Sequence, residues 1–304
     1  MSKNKTNRGA LERLKNCGFL RKIHYANLSF LSVHNPVLGS KLLYIESRGK
    51  RLNLSQPVLF NEKIMWLKLN TYFNNVLVTK CADKYGLRDY VASKGLDEYL
   101  PKLYYVWDNI EDVKWNEIPE SCVLKCTHGC GYNIIIPLKR EVDEKSITEQ
   151  LKIWMKEDYY KIYVETVYKN IKKRIICEEL LGDGKEAPVD YKLYCFNGEV
   201  KAVLLCEDRT DEDVKLTWMT KEWEYLDVGR IKTETFLEKP DNFEEMIELS
   251  KNLSEGFPFV RVDLYNINGR IFVGEMTFTP YAGVANYYSD EGERLLGNWL
   301  VLNN

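Results

Sequence analysis

The residues best placed to do chemistry lie in one stretch, Phe257 to Gly283, which carries Arg261, Asp263 and Glu275. Two strand-like runs flank Asn268-Gly269 there and predict a β-hairpin. Alternate side chains of a strand share a face. Phe257, Phe259, Arg261 and Asp263 therefore point one way, and Val260, Val262 and Leu264 the other. In the return strand Ile271, Val273, Glu275 and Thr277 share a face. The turn decides whether the two carboxylates meet. A two-residue Asn268-Gly269 turn would set Asp263 opposite Gly274 and send Glu275 to the far face. A three-residue loop, Ile267-Asn268-Gly269, with Gly269 at positive φ, sets Arg261 opposite Glu275 with Asp263 one diagonal away. The three-residue loop is the expectation. Asp263 and Glu275 then make an oxygen-rich pair suited to Mg2+, which takes few protein carboxylates and fills its shell with phosphate and water. The plainer alternative is an Arg–Glu cross-strand pair on an ordinary sheet.

Further groups sit near predicted strand ends. Lys125 ends a strand and is followed by His128-Gly129-Cys130-Gly131. A lysine ahead of a short glycine loop can hold polyphosphate: the ammonium neutralises charge, and backbone N–H groups approach closely where there is no Cβ. The alternative is a simple hairpin turn. Lys84 opens a predicted helix at 82–95, where a cation is mildly unfavourable and a phosphate would remove the cost. Asp190 and Lys192 share a strand face, Arg209 follows the next strand, and Glu178-Glu179-Leu180-Leu181 ends a β-rich run where a flat adenine could bond to backbone. Each of these could instead form a surface ion pair, worth little in stability.

The elements that must position these groups mix hairpins with helices, so the predicted class is α+β. Helices are expected at 59–74, 82–95, 144–170 and from Pro240 to Gly256. Strands are expected at 121–136 (as strand-loop-strand), 174–181, 190–196 and 199–206. The 304 residues, 45 % apolar and 29 % charged, suit a soluble globular chain of two domains or one with a mobile lobe. No window approaches the ~18–20 apolar residues of a membrane span, and the N-terminus lacks a signal peptide's apolar core. A cytoplasmic protein is expected, with its eight cysteines as thiols. Cys122, Cys126 and Cys130 contain no Cys-x-x-Cys pair, so zinc is not expected. The net charge of −2 argues against a polyanion binder such as a nucleic-acid protein. Residues 1–51, however, hold eleven Lys/Arg against Glu12 and Glu46. Such a basic arm is either solvated or in contact with a membrane surface, nucleic acid or an acidic substrate.

The order of these pieces resembles the TupA-like ATP-grasp family, linked to teichuronopeptide and other surface-polysaccharide synthesis. The matching segments are ADKYGLRDYV (82–91), LPKLYYVWD (100–108), CVLKCTHGCGYNIII (122–136), IICEELL (175–181), DYKLYCFNGEVKAV (190–203) and the hairpin at 257–283. The resemblance covers roughly residues 56–300 and implies an ATP-grasp fold, two α+β lobes gripping ATP. The implied division is a basic extension at 1–55, an N-terminal part at 56–120, a mobile lid lobe at 121–176 and a C-terminal lobe with the metal site at 177–304. It also implies roles. Lys84 and Lys125 would contact phosphates, under a loop of His128, Gly129, Gly131 and Tyr132. Glu178, Glu179 and Leu181 would border adenine, with Asp190 on the ribose or phosphate side. Lys192 and Arg209 would be further phosphate or acyl-substrate contacts. Asp263 and Glu275 would bind one or two Mg2+ ions, and Arg261 would face an acyl phosphate. Thr277 departs from the family pattern, which commonly has Asn there, and this puts the geometry of a second metal in question.

The activity so implied is ATP-dependent carboxylate–amine ligation through an acyl phosphate, joining an amino acid or other amine to an acidic saccharide such as a uronic acid. The basic arm would suit that acceptor at the inner face of a membrane. Two other readings compete. Asp211-x-Asp213 could be the metal motif of a glycosyltransferase, though it sits in a polar run. A non-catalytic glycan-binding protein would not need Lys125, Arg261, Asp263 and Glu275 together.

Overall fold

The computed structural model describes residues 18–184, 187–207, 214–232 and 237–302. Two helices come first, α1 (Gly18–His34) and α2 (Pro36–Arg48). Asn35 caps α2 by accepting from the Leu38 N–H, and Pro36 sits in its first turn, where its missing N–H costs nothing. Next come α3 (Phe60–Leu69), α4 (Val76–Ala82) and α5 (Gly86–Ser93). The helix expected at 82–95 therefore begins later, and Lys84 lies in the break between two helices. Asp83 causes the break: its φ/ψ are extended, and its carboxylate accepts the Tyr85 N–H at 3.0 Å. An Asp bonded to local backbone in this way competes with helix.

A four-stranded antiparallel sheet follows, built from β1 (Leu103–Trp107), β2 (Cys122–Cys126), β3 (Asn133–Ile136) and β4 (Ile175–Glu178) in the order β1-β4-β2-β3. Helix α6 (Glu144–Lys156) packs Leu151 into its core beside Leu124, Cys126 and Ile175. The helix expected over 144–170 stops at Lys156; short 3-10 turns at 159–161 and 166–168 replace its second half, around Val164 at φ +54°. A β-branched residue in that region cannot continue a helix.

The second sheet has five antiparallel strands in the order β7-β6-β5-β8-β9. They are β5 (Asp190–Phe196), β6 (Glu199–Glu207), β7 (Lys215–Thr220), β8 (Phe259–Ile267) and β9 (Arg270–Thr277). Helix α7 (Phe243–Ser254) covers one face, where Cys195 meets Ser250. On the other face Phe60 of α3 packs against Tyr194, Phe196 and Phe259, and Trp299 of α8 (Asp290–Trp299) meets Phe196. That second face is aromatic at one end and charged at the other, as its alternation predicts. Among the described residues no helix is long and apolar enough to cross a membrane.

The hairpin corrects the expected turn. β8 and β9 are joined by two residues, not three: Ile267 pairs with Arg270, and Asn268 and Gly269 both take positive φ, 53° and 78°. That is the geometry whose twist matches flanking strands. Parity is restored further along. Leu264 pairs with Val273 but Asp263 pairs with Glu275, so Gly274 is an extra, unpaired residue. The bulge shifts the register by one. Glycine is required there, because a Cβ would lie 2.8 Å from Tyr265 Cε2 and 3.2 Å from the Asp263 carbonyl oxygen.

Candidate active site

The bulge sets Asp263 directly opposite Glu275, and Arg261 opposite Thr277. On the other side of β8, Lys192 of β5 pairs with Asp263 and Tyr194 with Arg261. Three adjacent strands thus bring Asp190, Lys192, Arg261, Asp263, Glu275 and Thr277 to one face. Arg261 forks Asp263, with Nε to Oδ1 and Nη2 to Oδ2 both at 2.6 Å. The same Nη2 reaches Glu275 Oε1 at 3.2 Å and Thr277 Oγ1 at 3.1 Å. Lys192 bridges Asp190 at 2.5 Å and Asp263 at 2.7 Å. Bidentate and charge-assisted bonds of this kind are the strong ones.

Asp190, Lys192, Arg261 and Asp263 are all buried, whereas the Glu275 side chain is 32 % exposed and forms the open edge of the cluster. Burial lifts the Asp263 carboxyl to about 6, against the pull of Arg261 and Lys192. At Glu275 burial acts in the same sense, but Lys84, Arg261 and Lys192 outweigh it and hold that carboxyl well below the usual range. Burial alone would lower Lys192; Asp263 and Asp190 raise it above its ordinary value. Three carboxylates, Asp190, Asp263 and Glu275, face the buried cations Lys192 and Arg261, with Lys84 acting on Glu275 from the loop side. Among the described residues no three His, Cys, Asp or Glu side chains gather to hold a metal. A cation here could draw on the opposed Asp263–Glu275 pair and Thr277, and take its other ligands from phosphate and water, which suits Mg2+.

The glycine loop of the first sheet meets this cluster. Lys84 Nζ donates to the Gly129 carbonyl at 2.5 Å, and its backbone N–H to Thr127 O at 3.4 Å. Cys130, at the loop tip, feels the charges of Glu275, Lys84 and Arg261. Gly129 is tucked under the Tyr159 and Tyr132 rings, where a Cβ would sit 2.8 Å from either. The His128 side chain turns away from the cluster, into the core: its Nε2 lies 3.0 Å from Trp154 O, and burial pushes its pKa below the ordinary value. Only the backbone of that residue is available to a ligand in the loop.

The remaining residues expected at the site divide in two. Lys125 pairs with Glu178 at 2.7 Å, and Arg88 holds the other Glu178 oxygen at 2.7 Å. Glu179 closes the β1/β4 edge, its carboxylate accepting the Lys102 N–H at 2.9 Å; Leu181 lies half-buried just beyond. These sit on or beside the first sheet, whereas the carboxylate cluster is on the second. Arg209, like Asp211 and Asp213, lies outside the described residues.

Several residues of the site were not singled out from the sequence. Tyr194 shares the face of Asp190 and Lys192, so period-two reasoning could have found it. Its hydroxyl lies 3.1 Å from that of Tyr287 and 3.2 Å from that of Tyr288, and Tyr281 packs edge-on to Tyr287 at 5.0 Å. Tyr281 and Ala282 adopt left-handed φ of 48° and 57° in succession, a strained arrangement of the kind found at functional sites. Below that turn Glu165 accepts from Thr279 at 2.7 Å, and the fully buried Lys68 donates to Ala282 O at 2.8 Å. Nothing in sequence spacing signals that network.

Comparisons with known proteins identify the family. The family model described as TupA-like ATPgrasp matches residues 62–301. No curated protein matches the chain. Among solved structures, the ATP-grasp ligase PsnB complexed with minimal precursor, Mg and ADP is similar at 14 % identity and a TM-score of 0.39 over 79 % of this chain and 65 % of its own. A D-alanine–D-alanine ligase from Bacillus anthracis complexed with ATP is similar at 13 % identity and a TM-score of 0.41, over 66 % of this chain and 55 % of its own. An L-amino acid ligase from Bacillus licheniformis is similar at 12 % identity and a TM-score of 0.41, over 71 % and 48 %. The chain thus spans between about half and two thirds of the length of those proteins. With the family model covering most of its residues, the chain belongs to the TupA-like ATP-grasp family.

Proposed function

We propose that the protein is an ATP-dependent carboxylate–amine ligase that works through an acyl phosphate and joins an amino acid to the uronic acid carboxylate of a capsular or cell-wall polysaccharide. The observation that carries the reading is Asp263 opposed to Glu275, clasped by Arg261 and Lys192, beneath a glycine loop anchored by Lys84. Phosphoryl transfer needs positioning and charge neutralisation rather than a protein nucleophile, and among the described residues the charged cluster on β5, β8 and β9 includes no Ser or Cys side chain. Family membership favours ATP over the nucleotide sugar of a glycosyltransferase.

In the first step an acceptor carboxylate oxygen bonds to the γ-phosphorus of ATP as the bond to the β-phosphate oxygen breaks, giving an acyl phosphate and ADP. The amine nitrogen then bonds to the acyl carbon, phosphate departs, and the amine proton passes to solvent. Lys84 and Lys125 hold phosphate oxygens, and the backbone of Gly129 and Gly131 closes over them. Glu178, Glu179 and Leu181 border adenine, Glu178 by steadying Lys125; Asp190 lies toward the ribose or phosphates. Asp263 and Glu275 would hold Mg2+, which would supply neutralisation at the transferred phosphate. Arg261 occupies both oxygens of Asp263, so it turns from that carboxylate toward the acyl phosphate when ligands arrive. Lys192 keeps Asp263 oriented, and Arg209 adds a further cation to the acyl side. Residues 121–176 act as the lid that excludes water. The protein works in the cytoplasm.

Isothermal titration with Mg·ATP tests the site. The wild type is expected to bind, and the Asp263→Asn, Glu275→Gln double variant to bind at least about tenfold more weakly in Mg2+, since metal held by few carboxylates depends on each. Equal affinity in both would remove the two carboxylates from the site.

A further inference from the structure

The helical hairpin α1–α2 has one face fastened to the body and one face that nothing in the described chain covers. On the inner side Leu43 and Tyr44 pack with Met65 and Ala282, and Ser32 Oγ donates to Leu28 O at 2.8 Å and reaches Lys161 O at 3.2 Å. Arg48 is buried, paired with Glu293 and donating to Ala285 O at 2.6 Å. α2 is therefore a docked element, not a loose arm. Its outer face is apolar: Leu38, Leu42 and Ile45 follow helical spacing at 44 %, 44 % and 45 % exposure. On α1, Phe30 (61 %) and Val33 (39 %) are exposed too. A run of large apolar side chains left in water on one helix face marks an interaction surface.

Charge identifies what it faces. Eleven Lys/Arg against two Glu leave residues 1–51 at +9, so a whole chain at −2 leaves the remainder at −11; of the eleven, Arg21, Lys22, Lys41 and Arg48 lie in α1–α2, against Glu46, and Arg48 is held by Glu293. Lys41 is exposed within the apolar stripe, between Leu38 and Leu42. In a two-fold contact between copies the apolar stripe would meet itself, and Lys41 would have to be accommodated inside the contact. At an anionic bilayer the same lysine reaches the headgroups while the leucines enter the acyl boundary. An acidic body repelled by that surface and a basic, apolar hairpin attracted to it also set one orientation. We propose that the outer face of α1–α2 seats the protein on an anionic phospholipid membrane, through combined apolar insertion and basic attraction. This holds whether or not the ligase reading is right.

Co-sedimentation of the full chain with vesicles tests it, using phosphatidylcholine alone and phosphatidylcholine mixed with phosphatidylglycerol. The wild type is expected to pellet with the mixed vesicles, to stay in solution with phosphatidylcholine alone, and to lose binding as salt rises. The Leu38→Glu, Leu42→Glu double variant is expected to bind at least about tenfold more weakly, because apolar burial and charge are both needed for stable attachment. It should keep the wild-type unfolding temperature, since both side chains point away from the body. Lys41→Glu should weaken binding without touching apolar area. Failure of the wild type to bind the mixed vesicles overturns the proposal, as does a double variant that binds equally well. Sedimentation equilibrium separates the main rival: a wild-type dimer that the double variant turns into a monomer, without vesicle binding, assigns the face to a second copy.

Discussion

Gly274 and Gly269 lie five positions apart in one hairpin, and their substitution by alanine separates a steric need for glycine from a conformational one. At Gly274 the new methyl would lie 2.8 Å from Tyr265 Cε2 and 3.2 Å from the Asp263 carbonyl oxygen. The ring edge must retreat by roughly half an ångström or more and the backbone by a few tenths, an overpacking that costs about 1–3 kcal/mol. At ~2–4 °C per kcal/mol for a chain of this size, Gly274→Ala should unfold about 2–12 °C below wild type. At Gly269 nothing lies within 4 Å, and the cost comes from φ +78°, about 1–2 kcal/mol for a residue with a Cβ. The two variants thus have overlapping stability losses. Their activity should differ. Gly274 holds the register that opposes Asp263 to Glu275, and displacement of reacting groups by about 1 Å can cost ~100-fold in rate. Gly274→Ala should therefore slow ATP-dependent phosphate release by about 10- to 100-fold, while Gly269→Ala leaves it near wild type. Differential scanning calorimetry and a coupled phosphate assay read the two quantities. A Gly274→Ala protein with wild-type unfolding and rate would refute the claim that the bulge sets the site.

Two further outcomes follow from buried charge. Lys192→Met removes the cation that bridges Asp190 and Asp263 and should cost about 3–5 kcal/mol in denaturant unfolding; adding Asp190→Asn should restore a large part of it. Simple additivity of the two losses would contradict the coupling. Burial lowers Lys68 to about 8 from an ordinary 10.5, against an opposing pull from Glu165. Between those values the unfolded chain holds a proton that the folded chain does not, so this residue makes stability rise with pH. Relative to Lys68→Met, the wild type should gain roughly 2 kcal/mol between pH 8 and 10; parallel stability profiles would argue against the shift.

The charged face of β8 was legible because period two in Phe259, Arg261 and Asp263 admits one grouping. The turn was not. Both turn lengths satisfied the local pattern, and the deciding residue was the glycine at 274, inside a strand, which is itself a bulge signal. The expected pairing of Arg261 with Glu275 did not hold: the bulge supplied the parity assigned to a longer loop, which keeps both carboxylates on one face, but it opposes Asp263 to Glu275 and Arg261 to Thr277. Lys84 stands beside the glycine loop but not at the start of a helix as expected, since Asp83 can either start a helix or interrupt one. The Arg88–Glu178 bridge and the Glu165–Thr279 bond join residues 90 and 114 positions apart. Tertiary pairing of that kind leaves no periodic trace. Helix α2 was not singled out in the sequence, and its docking through Arg48 and Glu293 depends on a contact across most of the chain.

The most direct test of the central claim is phosphate release from Mg·ATP with the purified protein, screening uronic acids and their glycans against amino acids in pairs. The ligase account predicts release that needs both members of a pair, yields an amide, and is lost in the Asp263→Asn, Glu275→Gln variant. Amide-free release that proceeds equally without either substrate, or that survives in the variant, would contradict it.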